Sequence, residues 1–147
     1  MGNIWDNYGL WIPIITWFLV QSIKVLSDLI IHKKLNIKRL WGSGGMPSSH
    51  SAFVTSLATV AALSRGFDSF EFAICVIFAS IVMYDAAGVR RAAGKQARVL
   101  NQIIENDGDI NIQEKLVELL GHTPVEVLAG AVVGILMAIA LYNFWMW

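Results

Sequence analysis

The sequence predicts an all-α, membrane-embedded helical bundle of about four transmembrane helices plus an interfacial amphipathic helix, built from residues 1–147 as one domain. Three observations carry that prediction. The chain is 56% apolar and only 15% charged, with a mean hydropathy of +0.57, too greasy for an ordinary soluble domain. Apolar residues gather in four stretches, 10–31, 48–63, 70–89 and 124–144. Basic residues cluster on the side that alternating crossings would assign to one face of the membrane.

The bulk numbers exclude several classes. Formal net charge is +0, so no overall field favours nucleic acid, and no nucleic-acid partner is expected. The one cysteine, Cys75, lies inside an apolar run and reads as a small packing residue rather than a reactive thiol. The N-terminus lacks a basic segment and a small-residue cleavage site, so no signal peptide is expected. Gly2 is followed by Asp6 where myristoylation would want Ser or Thr.

About 20 residues cross the hydrocarbon core at 1.5 Å rise each, so the first, third and fourth stretches are long enough to span. The second is short and carries Ser51, Thr55 and Thr59 at four-residue spacing, a small, weakly polar face suited to close helix packing. Gly130 and Gly134 form a GxxxG on the last stretch, permissive for close contact but common by chance. Gln21, Lys24 and Asp28 share one face of the first stretch and should point into the bundle. Lys24 either pairs with Asp28 at i,i+4 or reaches an anion.

With four crossings, the end of the first stretch, the start of the second, the end of the third and the start of the fourth share one side. Lys33, Lys34, Lys38 and Arg39 lie there, with Arg90, Arg91, Lys95 and Arg98, whereas Arg65 stands on the other side in the 64–69 hairpin. The positive-inside rule then places that face in the cytoplasm of a multi-pass cell-membrane protein, with both termini outside. Trp5, Tyr8, Trp11, Trp145 and Trp147 suit an aromatic belt at the opposite interface. Residues 89–105 continue as an amphipathic helix, with Ala93, Ala97, Leu100 and Ile104 on its apolar stripe and Arg91, Lys95 and Arg98 on its basic one. Residues 105–109 read as a solvated acidic connector without Ca²⁺-loop spacing, and 112–120 as a short interfacial helix stopped by Gly121.

Two polar strings on the basic side carry the chemistry. Gly42-Ser43-Gly44-Gly45-Met46-Pro47-Ser48-Ser49-His50 runs into the second stretch, and Gly121-His122-Thr123-Pro124-Val125-Glu126 into the fourth. Glycine backbone, unpaired N–H groups of a helix's first turn and serine hydroxyls are anion donors, and histidine titrates near neutrality. Phosphomonoester hydrolysis needs such donors around three oxygens, an in-line nucleophile and an acid for the departing alkoxide. His122 and His50 could serve as nucleophile and acid, and Glu126, one helical turn on, could orient His122. Each piece also has a plain structural account. Thr123-Pro124-Val125-Glu126 is a good capping box, Ser48 or Ser49 an ordinary N-cap, and Arg90 and Arg91 ordinary interface anchors. Asp85 is expected to brace one of the arginines rather than to bind metal.

Gly44-Gly45-Met46-Pro47-Ser48-Ser49-His50-Ser51-Ala52 resembles the second motif of the type 2 phosphatidic acid phosphatase superfamily. Val82-Met83-Tyr84-Asp85-Ala86-Ala87-Gly88-Val89-Arg90-Arg91 and Leu120-Gly121-His122-Thr123-Pro124-Val125-Glu126-Val127 are similar to its divergent bacterial and plastid branch, related to acid phosphatases and vanadium-dependent haloperoxidases. The resemblance implies a phosphohistidine on His122, Glu126 in place of an aspartate, and His50 as acid and then base. It also implies phosphate held by Ser48 and the Ser49 amide, and no metal or cofactor. The superfamily's first motif, KxxxxxxRP, is absent: Leu40 and Trp41 stand where its arginine would follow Lys33 or Lys34, and Leu116 replaces the third-motif arginine. Phosphate binding is therefore assigned to Arg90 and Arg91, with Lys38, Arg39 or Lys24 helping, and Gly44 and Gly45 supporting the loop. The superfamily commonly has six membrane helices, so four imply a trimmed fold or a homodimer. The expected activity is hydrolysis of a lipid phosphomonoester such as phosphatidylglycerol phosphate, phosphatidate or a polyprenyl phosphate or diphosphate. The alternative is a non-catalytic membrane protein that binds anionic headgroups, which needs the basic face but not the histidines.

Overall fold

The computed structural model describes residues 3–33, 45–106, 115–118 and 120–147, and every regular element among them is helical. After a single turn at Ile4–Asp6 come α1 (Tyr8–His32), α2 (Ser49–Arg65), α3 (Phe70–Ala87), α4 (Val89–Asn106) and α5 (Pro124–Met146). These bounds lie close to the apolar stretches because local chemistry sets the ends. The side chains of Asn7, Ser48 and Ser69 accept from backbone N–H groups in the first turns of α1, α2 and α3. Thr123 and Glu126 close a reciprocal capping box at the start of α5. Gly66 takes φ of +92°, a left-handed value that lets α2 stop and the chain turn into α3.

Among the described residues, three helical runs are long and apolar enough to cross a membrane: Tyr8–Ile30, Phe70–Asn106 and Pro124–Met146. The helix expected to be short, α2, has 17 residues and falls outside that set. It has a different place in the bundle, packed against α1, α3 and α5 together. That position explains its composition. Small and hydroxyl-bearing residues, with Ser49, Ser51, Ala52, Ser56 and Ala58 all buried, let three neighbours approach one helix closely.

The closest approach is between α2 and α5. A Cβ on Gly130 would overlap the Ser48 carbonyl, and one on Gly134 would overlap the Ala52 carbonyl and the Thr55 hydroxyl. The Thr55 hydroxyl, 2.7 Å from the Ser51 carbonyl of its own helix, also lies 3.2 Å from the Ala131 carbonyl of α5. Both the GxxxG and the hydroxyl stripe are thus interface features. At one end of this pair Ile12, Val60 and Ala138 form a buried cluster, flanked by Tyr8 and Tyr142 in edge-to-face contact at 5.5 Å. Trp5 and Trp11 stack at 5.2 Å near that same end. At the other end, the Ser48 N–H donates to the Glu126 carbonyl (3.0 Å) and the His122 N–H to the Ala86 carbonyl (2.9 Å). Those two bonds join the mouths of α2 and α5 to the end of α3.

Past Gly88 the chain continues as α4, the expected amphipathic helix. The expected helix at 112–120 is not found. Its described residues, 115–118 and 120, are non-helical and run as a strap along α4, while 112–114 and 119 lie outside the described residues. Asn101, buried on α4, explains why. Its amide accepts from the Leu116 N–H (3.0 Å) and donates to the Leu116 carbonyl (2.9 Å), occupying both groups a helix would need. Arg98 pairs with Glu118 (3.3 Å), Lys115 with Glu105, and Gly94 leaves room for the carbonyls of Glu118 and Leu120.

Gly134→Ala should therefore destabilise the protein by about 1–3 kcal/mol through overpacking against α2 backbone. Thermal unfolding in detergent checks this; an unchanged midpoint would mean that α2 and α5 can separate freely. Asn101→Ala should cost about 1–3 kcal/mol by stranding both Leu116 backbone groups. Hydrogen exchange at the Leu116 amide should accelerate, whereas exchange in the α2–α5 interface should not.

Candidate active site

The two histidines expected to work together are neighbours. Their ring centroids lie 6.4 Å apart with planes tilted by 60°. His50 is the second residue of α2, carried there by the Ser48 cap, and His122 lies two residues before α5. Gly121 places His122. With φ of +79°, its Cα sits against the backbone of Arg90 and Arg91, where a Cβ would collide. The strap and the start of α4 thus meet at a glycine immediately before the imidazole.

His122 is only 3% exposed, and among the described residues neither ring nitrogen has a hydrogen-bond partner. Glu126 Oε2 lies 3.4 Å from Nδ1 without forming a hydrogen bond to it. The same oxygen accepts from the Thr123 N–H at 2.8 Å. The capping and orienting accounts of Glu126 are therefore compatible: the cap fixes the carboxylate beside the imidazole. Burial, then the charge of Lys24, push the His122 pKa below its ordinary 6.5, and Glu126 pulls it partly back. At neutral pH the ring is unprotonated and holds a free lone pair.

Cations surround the pair. Lys24, buried in α1, donates from Nζ to Ser49 Oγ (3.3 Å), bringing its charge to the first turn of α2. Arg90 Nε bonds Asp85 Oδ2 at 2.6 Å, so Asp85 does face an arginine. Ser48 is fully buried, and its Oγ receives both the Ser51 N–H (3.3 Å) and the Ser51 hydroxyl (3.0 Å). That oxygen serves as the helix cap.

Two cavities lie beside this pair, one on each histidine. One, of about 330 Å³, is lined by His122, Glu126, Thr123, Gly121, Gly45 and the basic side of α4 at Arg91, Lys95 and Arg98. The other, of about 520 Å³, has His50 and Arg90 on a wall otherwise built from apolar and aromatic side chains of α1, α2 and α3. Consecutive arginines at the start of α4 thus diverge into different cavities. Among the described residues no group of three His, Cys, Asp or Glu side chains gathers as metal ligands would.

The structure brings together His50, His122, Glu126, Ser48, Ser49, Lys24, Gly45, Arg90, Arg91 and Asp85. Lys38, Arg39 and Gly44 lie outside the described residues. Sequence reasoning missed Asn101 and Glu118, which seat the strap. One signal was available: Asn101 falls four residues after Ala97, interrupting the apolar stripe of α4 with an amide.

Residues 5–137 match the model of the divergent PAP2 family. The uncharacterized membrane protein YuiD of Bacillus subtilis (strain 168) is 42% identical over 153 aligned residues, covering 95% of this chain and 97% of YuiD. No solved structure matches the chain. This helical membrane protein belongs to the divergent PAP2 family.

Proposed function

We propose that the protein is a metal-independent lipid phosphate phosphatase working at the membrane surface through a phosphohistidine intermediate. The observation that supports this best is the pair of imidazoles 6.4 Å apart, one buried with both nitrogens unbonded among the described residues. Rings that are neighbours in this way can serve one phosphoryl group, one nitrogen attacking phosphorus and the other ring giving a proton to the leaving oxygen.

In the first step the unprotonated nitrogen of His122 attacks phosphorus, the bond from phosphorus to the lipid oxygen breaks, and His50 gives that oxygen its proton. In the second, His50 takes a proton from water, the hydroxide attacks phosphorus, and the bond to His122 breaks to release inorganic phosphate. Lys24, Arg90, Arg91 and the Ser49 amide stabilise charge on the phosphoryl oxygens as it develops. Glu126, 3.4 Å from the His122 ring, stabilises the imidazolium character that phosphorylation creates. The substrate is a lipid phosphomonoester, among which phosphatidylglycerol phosphate, phosphatidate and polyprenyl phosphates are the candidates.

For topology, α2 returns the chain between α1 and α3, which gives four crossings of a cell membrane. Lys33, Arg90, Arg91, Lys95 and Arg98 then share the site's side and Arg65 the other, so the site faces the cytoplasm.

Purified protein in mixed micelles should release inorganic phosphate from a lipid phosphate in the presence of a chelator. Vanadate should block it, because its five-coordinate form imitates the transferring phosphoryl group. His122→Ala should lower kcat at least ~1000-fold. Tight lipid phosphate binding with no phosphate release would instead support a headgroup-binding role. The pH dependence gives a second test. Protonation silences His122, and its pKa is depressed, so the acidic limb of kcat/KM should fall below pH 6.5. Glu126 raises that pKa, so Glu126→Gln should lower kcat and move the limb to still lower pH. A limb that moves upward would contradict the role given to Glu126.

A further inference from the structure

The two cavities beside the histidine pair, each lined by one of the rings, differ in kind, and the difference bears on which lipid is bound. His122 lines the polar one with Arg91, Lys95 and Arg98; His50 lines the apolar one with Arg90. In an in-line displacement the leaving group departs opposite the nucleophile. With His122 attacking, the alcohol leaves on the His50 side, into the apolar groove. Phosphate is left on the side of the polar basin.

We infer that this groove holds the hydrocarbon of the leaving alcohol and selects a prenyl phosphate, whose chain is apolar from the carbon that bears the phosphate oxygen. The inference rests on the phosphatase reading for the direction of departure, and on the groove's own chemistry for the class of lipid. Phe18 of α1, Phe53 of α2, and Phe78 and Val82 of α3 form its walls. Phe18 is 57% and Phe78 48% exposed, so the groove opens sideways toward the bilayer rather than toward water. Beside His50 and Arg90, the only other polar side-chain group among its described lining residues is the Trp17 indole. A phosphatidate would place its glycerol backbone and two ester carbonyls beside the phosphate, against aromatic walls that offer those carbonyls few donors. A prenyl chain presents no such groups. Arg90, held by Asp85, marks where hydrocarbon ends and phosphate begins.

The test uses the full chain in micelles and a non-hydrolysable geranylgeranyl phosphonate carrying a diazirine on its chain. Photolabelling should fall on peptides containing Phe53 or Phe78. Geranylgeranyl phosphate should displace the label at a concentration at least tenfold lower than dioctanoyl phosphatidate. Val82→Trp, which fills the groove from the α3 side, should reduce labelling at least tenfold. It should also lower kcat/KM for geranylgeranyl phosphate at least tenfold more than for dimethylallyl phosphate, whose chain is too short to reach the filled region. Groove labelling without phosphate release from any lipid would overturn the phosphatase reading and leave the binding site standing. Phosphate release with labelling elsewhere, or equal displacement by phosphatidate, would overturn the groove assignment alone.

Discussion

Everything at the motif end depends on how closely α5 can lie against α2. Gly130 and Gly134 remove the side chains that would hold the helices apart, and the Ser48 N–H then reaches the Glu126 carbonyl. Within a membrane there is little hydrophobic gain from bringing two apolar helices together, so packing and polar contacts between helices have to supply the association. Here they also supply the site. The bond from Ser48 to Glu126 fixes the mouth of α2 against the mouth of α5, and each mouth carries one histidine. A side chain at Gly130 would act first on the Ser48 carbonyl, and through it on the helix start that carries His50.

A second constraint follows from burying polar groups in an apolar bundle. Lys24, Ser48, Ser49, Ser51 and His122 are all buried at the same end. Most of their hydrogen bonds close locally: Lys24 onto Ser49, Ser51 onto Ser48, Thr123 with Glu126. His122 is the exception, since neither of its nitrogens has a hydrogen-bond partner among the described residues, although the Glu126 carboxylate stands 3.4 Å away. A buried imidazole left this way costs stability unless something else makes use of it, and such groups gather where chemistry is done. Its depressed pKa follows from the same burial, with Lys24 adding to it.

Much of this was legible in the sequence, for local reasons. α1, α2, α3 and α5 start at side chains that cap them, α2 and α3 stop at glycines, and those signals lie within one turn of the boundary they set. Alternation of helix direction was enough to bring His50 and His122 to one end of the bundle, although they are far apart in number. What could not be read was anything decided by contact between distant segments. The residues before His122 looked helical because nothing local opposed it; Asn101, on another helix, takes over both backbone groups of Leu116. Ser48 is the cap of α2, as local chemistry allows, but its bond to the Glu126 carbonyl of another helix had no local signal. Arg90 and Arg91 looked like one basic patch. They face different cavities because the backbone turns at Gly88 as α3 gives way to α4, and adjacent helical residues point about 100° apart.

The central claim is that His122 accepts the phosphoryl group while His50 handles protons, and trapping the intermediate tests it most directly. His50→Ala protein would be mixed with a ³²P-labelled aryl phosphate whose phenolate leaves without an acid, then quenched and digested under alkaline conditions. The account predicts that label accumulates on the peptide carrying His122 as an acid-labile, base-stable phosphoramidate, because water lacks its base. Label on a serine, on His50-bearing peptides of the unaltered protein, or on no residue at all would contradict it.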